Sequence, residues 1–301
     1  MTTTEHIVRT VRTFNRTYTQ RIGALEESFL GLGLPLGAAR IVFEVGTTGG
    51  DGPDSPDGAR VGDLRDRLGL DSGHLSRQLR RLEADGLVAV APDPRDRRAR
   101  LVTLTASGRD LLARLEERSD DAARRLVVPL TERQRTRLAE ALATADLLVR
   151  AATVELTEVD PGGALAIRAM RAYFVELDAR FPSGFDPGTA PLLETFTVAT
   201  SDGQVVACGG VQGLDGGPAG EPADEIKRMW VHPGWRGAGL GTRLLRHLED
   251  VVRARGRGVV RLDTNGTLAE AIAMYERAGY RRVERYNDNP YAELFFEKRL
   301  D

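Results

Sequence analysis

The spacing of apolar residues changes in character about halfway along this chain of 301 residues. In the first half, apolar residues recur at every third or fourth position, which is the period of a helix with one buried face. In the second half, similar helical stretches are separated by short apolar or alternating stretches that predict strands. Because 301 residues are long for one compact core, the sequence predicts two domains, residues 1–152 and 153–301.

The first half is predicted to be rich in helix. A segment dominated by Gly, Pro and Asp, residues 46–58, is too irregular for a helix or strand and predicts a surface loop. Residues 87–90 and 101–104 alternate like two paired strands. The predicted helices are residues 5–30, 36–45, 61–68, 72–85, 105–127 and 131–152.

Residues 61–68 and 72–85 are predicted helices separated by a short turn. This is the helix-turn-helix arrangement, in which the second helix enters the major groove of DNA. Ser72 is predicted to cap the second helix, whose leucines Leu75, Leu79 and Leu82 share one inward face. The outward residues predicted to contact base edges or phosphates are Ser72, Gly73, His74, Ser76, Arg77 and Arg80.

The strands 87–90 and 101–104 flank a segment that carries Arg95, Arg97 and Arg98. A hairpin with an arginine-rich tip can neutralise phosphates or enter the minor groove, so these arginines are predicted to bind DNA. The segment reads D-x-R-D-R-R-A over residues 93–99 and is followed by L-T-x-x-G over residues 104–108. In residue identities and in order, these two motifs resemble those of the MarR family of winged-helix regulators.

The MarR resemblance covers about residues 1–150 and departs from the family mainly in the longer loop 46–58. It implies a winged helix-turn-helix domain that binds double-stranded DNA. It also implies a homodimer formed by the first and last helices, which suits a palindromic operator. The alternative is a winged helix used only as a protein-interaction module, because a fold alone does not fix a function.

The second half is predicted to alternate strands with helices. A hairpin is expected across residues 201–203, and a further loop over residues 181–188. The predicted strands are residues 154–159, 195–200, 204–211, 225–231, 259–264, 281–286 and 294–298, and the predicted helices are residues 164–180, 239–255 and 268–278.

The most informative stretch of the second half is Arg-Gly-Ala-Gly-Leu-Gly, residues 236–241, between a predicted strand and a predicted helix. Glycines leave backbone N–H groups uncovered, and the start of a helix adds its positive dipole, so the stretch predicts a pyrophosphate site. Its G-x-G-x-G spacing fits neither the dinucleotide fingerprint nor the nucleoside-triphosphate loop. A turn that only caps the helix is the alternative.

Residues 236–241 resemble the R/Q-x-x-G-x-G/A loop of the GNAT acetyltransferase superfamily, and the order of elements over residues 153–301 is similar to the GNAT fold. The fold expected here is therefore an α/β domain with a mixed sheet. The resemblance implies acetyl-CoA as cosubstrate, with its pantetheine arm held by the backbone of residues 229–231 and by Asn265. The residues predicted to bind acetyl-CoA are Met229, Trp230, Val231, Arg236, Gly237, Ala238, Gly239, Leu240, Gly241, Thr242 and Asn265.

Tyr275 lies in a segment, residues 271–280, that is similar to the GNAT A-x-x-x-Y-x-x-x-G-F/Y pattern. The resemblance implies that Tyr275 is the acid that protonates the leaving thiolate, which a tyrosine hydroxyl can do. The alternative is a tyrosine packed on the sheet, as Tyr173 is expected to be. Glu225 is the candidate base for the attacking amine, and its alternative is a solvated acid at a strand end. The polar and aromatic segment 285–293 is a candidate acceptor-binding loop.

Composition adds little to this picture. Hydrophobic residues make up 41% and charged residues 29% of the chain, and the net charge of -2 does not by itself indicate nucleic-acid binding. Cys208 is expected to be a buried thiol, and the isolated histidines suggest no metal site. The absence of a long apolar run predicts a cytoplasmic protein with no membrane partner.

These patterns together predict a transcriptional regulator fused to an N-acetyltransferase that acetylates an amine, either a small molecule or a protein. Two other hypotheses stay open. In the first, the second domain senses acyl-CoA without turnover. In the second, the chain is a protein lysine acetyltransferase whose winged helix docks partner proteins.

Overall fold

The computed structural model describes residues 3–24, 26–47, 58–94, 96, 98–188, 192–201, 204–214 and 222–300. The chain forms two compact units, Met1–Leu138 and Ala139–Asp301. Helix α6 runs from Glu132 to Thr153 and contributes residues to both. The division that we predict after residue 152 stays a prediction.

The first unit is helical around a small antiparallel sheet, whose strands lie in the order β1-β3-β2. Its core includes Leu64, Leu75 and Leu82, all fully buried, so the inward leucine face of the second helix-turn-helix helix is confirmed. Its elements are α1 (Thr3–Arg21), α2 (Leu36–Thr47), β1 (Ala59–Arg60), α3 (Val61–Leu68), α4 (Ser72–Ala84), β2 (Val88–Pro92), β3 (Arg100–Leu104), α5 (Ala106–Val127) and the start of α6.

This unit differs from the prediction in several bounds and in the unpredicted strand β1, and two of the differences have a clear local cause. The first helix ends at Arg21 rather than residue 30, because Gly23 takes a left-handed φ of 67° that a continuing helix does not allow. The cap of α4 is Asp71 and not Ser72, since the Asp71 carboxylate accepts a 2.8 Å hydrogen bond from the His74 amide. Most of the predicted loop 46–58, residues 48–57, lies outside the described residues.

The second unit is a mixed sheet, as the sequence predicts, and helices lie on both of its faces. Its strands lie in the order β4-β5-β6-β7-β8-β10-β9, and β7 pairs with β8 in parallel. After the end of α6, the elements are β4 (Glu155–Val159), α7 (Ala164–Arg180), β5 (Thr195–Ser201), β6 (Gln204–Leu214), β7 (Ala223–Val231), α8 (Leu240–Ala254), β8 (Val259–Thr264), α9 (Ala269–Arg277), β9 (Arg281–Val283) and β10 (Leu294–Arg299).

The two faces of this sheet carry separate apolar cores. On one face, Leu244, Leu245 and Leu248 of α8 pack with Ile226 of β7 and other sheet residues. On the other, Ala166 and Ala169 of α7 pack with Cys208 and Trp230. Cys208 is fully buried, so its predicted structural role as an interior thiol is confirmed.

Strands β7 and β8 diverge soon after they meet. Their parallel ladder joins Ala223 to Val259, Asp224 to Val260 and Glu225 to Arg261, and no later pair is formed within the described strands. A bulge opposite Gly209 shifts the register between β6 and β7, and Arg228 there has a left-handed φ of 57°. The far end of β7 therefore has a hydrogen-bonded neighbour on its β6 side and open space toward β8.

Across the part of the chain that the structure describes, no helix is long and apolar enough to cross a membrane.

Candidate functional site

The chain leaves β7 through a tight turn that leads to the start of α8. His232 N donates to Val206 O at 2.9 Å, and the short helical turn Pro233–Trp235 follows. Gly237 and Gly239 have φ values of 83° and 78°, a region that glycine enters without strain. Gly239 is the N-cap of α8 and provides no side-chain cap.

The amides of residues 237–242 donate no hydrogen bond to any described residue, which leaves the first turn of α8 unsatisfied. Such a group of amides, together with the positive end of the helix dipole, forms a site for an anion. Gly241 also allows a close approach, because a Cβ there would lie 3.1 Å from the Met274 sulfur. We call residues 237–242 the amide cradle.

The amide cradle opens into a cavity of about 420 Å³ between α7, the end of β7 and α9. A cavity of this size and mixed polarity suits a small-molecule arm. Most residues predicted to bind acetyl-CoA line it, whereas Ala238 and Asn265 are not among its described walls. The predicted residues that line it are Met229, Trp230, Val231, Arg236, Gly237, Gly239, Leu240, Gly241, Thr242 and Tyr275.

Tyr275 projects from α9 into this cavity and is 6% exposed. Its ring packs against Tyr280 and Phe296, with centroids 5.9 and 6.0 Å away. Burial raises the pKa of Tyr275 above its ordinary value, which already keeps a tyrosine hydroxyl protonated at neutral pH. Tyr173, expected only to pack on the sheet, also lines the cavity.

Glu225 is 1% exposed and does not belong to the described cavity wall, so the alternative of a solvated strand-end acid is wrong. Tyr286 and Asn287 donate to its carboxylate at 2.9 and 2.8 Å, and the Lys227 ammonium lies 3.0 Å away. Burial is the largest influence and raises the pKa of Glu225, against the opposing charge of Lys227. The segment 285–293 thus contributes two donors to this carboxylate.

Asn265 is engaged within its own loop. Its amide donates to Tyr291 O at 2.8 Å, and its carbonyl oxygen accepts from the amide and hydroxyl of Thr267 at 3.0 and 2.7 Å. This arrangement fixes the loop after β8. The role of Asn265 toward a pantetheine arm stays a prediction.

Glu176 is a cavity residue that the sequence analysis missed. Its carboxylate accepts from Trp230 Nε1 at 2.7 Å, from Arg236 and, at 3.4 Å, from Arg180. Burial, the largest single influence, opposes ionisation, but the hydrogen bonds from Arg236 and Trp230 lower the pKa of Glu176 below its ordinary value. Arg180 in turn pairs with Glu270 of α9 at 2.9 Å. The i, i+4 spacing of Glu176 and Arg180 was visible in the sequence, but their distant partners were not.

In the first unit, α4 presents the polar face that the helix-turn-helix pattern predicts. Ser72, Ser76, Arg77 and Arg80 are exposed, and His74 is half-buried. Arg80 Nε donates to Ser76 O at 3.3 Å, which lays the side chain along the helix. An exposed face with these donors is chemically suited to phosphates and base edges.

The hairpin β2–β3 has a fixed base beneath its tip. The Asp93 carboxylate is 1% exposed and accepts a 2.7 Å hydrogen bond from Arg60 Nε. Asp93 N also donates to Ala99 O at 2.9 Å across the hairpin. Arg98 is exposed at the tip, while Arg95 and Arg97 lie outside the described residues.

The two parts of the chain match different families of known proteins. Residues 193–282 match the acetyltransferase (GNAT) domain, and residues 32–99 match the MarR family. An IAA acetyltransferase of Azospirillum brasilense is 38% identical over 35% of this chain and 67% of its own length. A streptothricin acetyltransferase of Streptomyces lavendulae is 32% identical over 42% of this chain and 82% of its own length.

The transcriptional activatory protein BadR of Rhodopseudomonas palustris is similar to the other end of the chain. It is 51% identical over 19% of this chain, and the match spans 33% of BadR. The chain therefore covers only about a third of that relative's length.

Proposed function

Because this chain joins a MarR-family winged-helix domain to a GNAT-family acetyltransferase domain, we propose that it regulates transcription by binding DNA and also acetylates an amine with acetyl-CoA. The observation that carries the enzymatic half is the amide cradle, whose six consecutive residues 237–242 keep free N–H groups beside a cavity that holds Tyr275. Anion site and acid share one cavity, as acyl transfer from a pyrophosphate-bearing thioester requires.

The cradle supplies the binding energy at the phosphate end. Unpaired amides in the first turn of a helix bind a pyrophosphate without the cost of breaking earlier hydrogen bonds. The gap beside β7 then accommodates the pantetheine arm, because Met229 and Val231 line the cavity where β8 has diverged.

The reacting end lies toward Tyr275. An amine attacks a thioester carbonyl only as its free base, forming a C–N bond as the C–S bond breaks. The Tyr275 hydroxyl, which is protonated at neutral pH, gives its proton to the departing thiolate. Glu225 is the proposed acceptor of the ammonium proton, and a water must relay it because Glu225 lies outside the cavity wall.

The regulatory half of the proposal rests on the first unit. The exposed face of α4 is the surface for the major groove, and the hairpin β2–β3 is the wing. Helix α1 buries no residue and exposes Ile7, Val8, Val11, Phe14 and Tyr18, an apolar face suited to a second copy in a homodimer. A palindromic operator and a cytoplasmic location follow from this role.

A coenzyme A release assay tests the enzymatic half. The purified chain is incubated with acetyl-CoA and a panel of small amines, amino acids and peptides, and free thiol is measured. We expect thiol release that depends on one class of amine. Binding of acetyl-CoA without release across the panel would favour a sensor, and release with peptides alone would favour a protein lysine acetyltransferase.

Selection from random duplexes tests the regulatory half. The chain should enrich a palindromic sequence and retain it in a gel in preference to random DNA. No enrichment would indicate that the winged helix docks proteins.

A further inference from the structure

Glu176 connects the amide cradle to the strand beside which the pantetheine arm is proposed to lie. One carboxylate oxygen accepts from Trp230 Nε1 of β7 at 2.7 Å, and the other accepts from Arg236, which begins the cradle loop. Arg236 also donates from Nε to Val231 O at 3.1 Å. The first residue of the loop is therefore held from α7 and from β7 at once.

This geometry reduces the Arg236 charge that is available to a ligand. The Arg236 side chain is 35% exposed and the Glu176 side chain 15% exposed, so the ion pair is partly sheltered from water. Opposite charges in contact at a partly sheltered site offset each other. Arg180 also pairs with Glu176, at 3.4 Å, and with the exposed Glu270, at 2.9 Å. The amides of residues 237–242 and the start of α8 then contribute positive potential that no carboxylate of this ion pair offsets.

We propose that Glu176 is a positioning residue for acetyl-CoA, which acts by fixing Arg236 so that the amide cradle and the end of β7 keep the spacing that the ligand must bridge. This inference rests on the proposed acetyl-CoA site. Glu176 contacts neither the reacting atoms nor the phosphates in this role. Arg236 becomes a structural part of the loop rather than a direct phosphate ligand.

Two possible roles of Glu176 predict opposite changes in acetyl-CoA affinity when Glu176 is replaced by glutamine. If Glu176 only placed a negative charge near an anionic ligand, Glu176→Gln would tighten acetyl-CoA binding, since Arg236 would lose its counter-charge. If Glu176 positions the loop, Glu176→Gln weakens binding. Trp230 and Arg236 donate to different oxygens of Glu176. A glutamine replaces one of these oxygens with an NH2 group that only donates, so one of the two hydrogen bonds is lost.

The experiment measures acetyl-CoA dissociation constants by calorimetry for the wild type and Glu176→Gln. We expect the constant to rise about tenfold, the scale of one charged hydrogen bond, with kcat changed little. Binding of ADP should change much less, because its diphosphate reaches the cradle but it has no arm to lie along β7. Unchanged or tighter acetyl-CoA binding would overturn the inference, as would equal losses for ADP and acetyl-CoA.

Glu176→Asp keeps the charge but shortens the reach, and we expect it to bind as weakly as Glu176→Gln. Wild-type affinity in the Asp variant would contradict positioning. In an Arg236→Gln background, the Glu176→Gln effect should vanish, because the two residues act as one unit. Additive losses in that cycle would also overturn the inference.

Glu194→Gln is the matched control. Glu194 also pairs with an arginine, Arg255, but is not among the described cavity residues. The Glu194→Gln variant should bind acetyl-CoA like the wild type. Melting temperatures establish that each variant is folded. No acetyl-CoA binding by the wild type would reject the proposed function itself, whereas wild-type binding with an unaffected Glu176→Gln would reject only the positioning role.

Discussion

At the scale of single residues, Tyr275 is the side chain of the cavity that we propose as the proton donor. Tyr275 is packed on two aromatic rings, and burial raises its pKa further above neutral pH. The ring packing and the hydroxyl can be separated by mutation. A phenylalanine at position 275 keeps the ring packing and removes the hydroxyl.

Tyr275→Phe should lower turnover by about a hundredfold or more while leaving the acetyl-CoA dissociation constant nearly unchanged. Tyr280→Phe, which removes a hydroxyl from the neighbouring ring outside the described cavity wall, is the control. Steady-state rates and calorimetry on both variants provide the measurement. A Tyr275→Phe enzyme that turns over like the wild type would identify a packing residue.

The proposed role of Glu225 as a base predicts how kcat/KM depends on pH. A base must be ionised to work, and the pKa of Glu225 is raised, mainly by burial. The acidic limb of the kcat/KM profile should therefore lie at higher pH than for an ordinary glutamate, with activity lost as pH falls through that value. Glu225→Gln should remove the limb and most of the rate. A lower melting temperature with the limb retained would instead assign Glu225 a purely structural role in its network with Tyr286 and Asn287.

At the scale of elements, the start of α8 carries the cofactor proposal. Gly239 has a φ of 78° and nothing within 4 Å of a built Cβ, so a side chain there would project into the open cradle. Gly239→Asp should abolish detectable acetyl-CoA binding and leave DNA binding intact, because the carboxylate opposes the pyrophosphate.

Gly256→Asp is the matched control for this change. Gly256 has a similar φ of 76° and equally open surroundings, but it follows the other end of α8. Both variants place an aspartate at a left-handed backbone position and bear the same conformational cost. Only Gly239→Asp places the new carboxylate at the amide cradle. Calorimetry measures the acetyl-CoA affinity of both variants. Equal affinities for Gly239→Asp and Gly256→Asp would contradict the proposal that residues 237–242 bind the pyrophosphate.

Two kinds of DNA contact are proposed for the winged helix. Arg98→Ala at the wing tip should weaken binding to all sequences alike and reduce the slope of log K against log salt by roughly one counterion. Arg77→Ala on α4 should instead lower the ratio of specific to random binding by about tenfold or more. Salt titrations on selected and random duplexes measure both. An unchanged slope for Arg98→Ala and an unchanged ratio for Arg77→Ala would refute the two assignments.

Local pattern was sufficient to predict the bounds of α3, α7 and β8, whose predicted and observed limits coincide. It failed where neighbouring residues compete for one role, since Asp71 and Ser72 are both good caps and only the coordinates distinguish them. Long-range partners were also invisible. Glu176 meets Arg236 across sixty residues, and no period in the sequence links them.

At the scale of the whole molecule, the proposed dimer gives the exposed apolar face of α1 a function. Phe14 is 53% exposed and stacks on Tyr18 within that face. Phe14→Asp should shift the chain from dimer to monomer and weaken operator binding more than binding to a half-site. Ile167→Asp, on α7 and 55% exposed, is the control. Light scattering that finds the same mass for both variants would exclude α1 from the interface.

The most direct test of the account follows the acetyl group itself. Acetyl-CoA labelled with ¹³C in its carbonyl is incubated with the wild-type chain and the amine found by the release assay, and the products are identified by NMR and mass spectrometry. We predict that the label appears as an amide on that amine in equal amount to the coenzyme A released, and that Gly239→Asp forms none. Label found only as free acetate, or kept in a bound thioester that never turns over, would contradict acetyl transfer as the function of this domain.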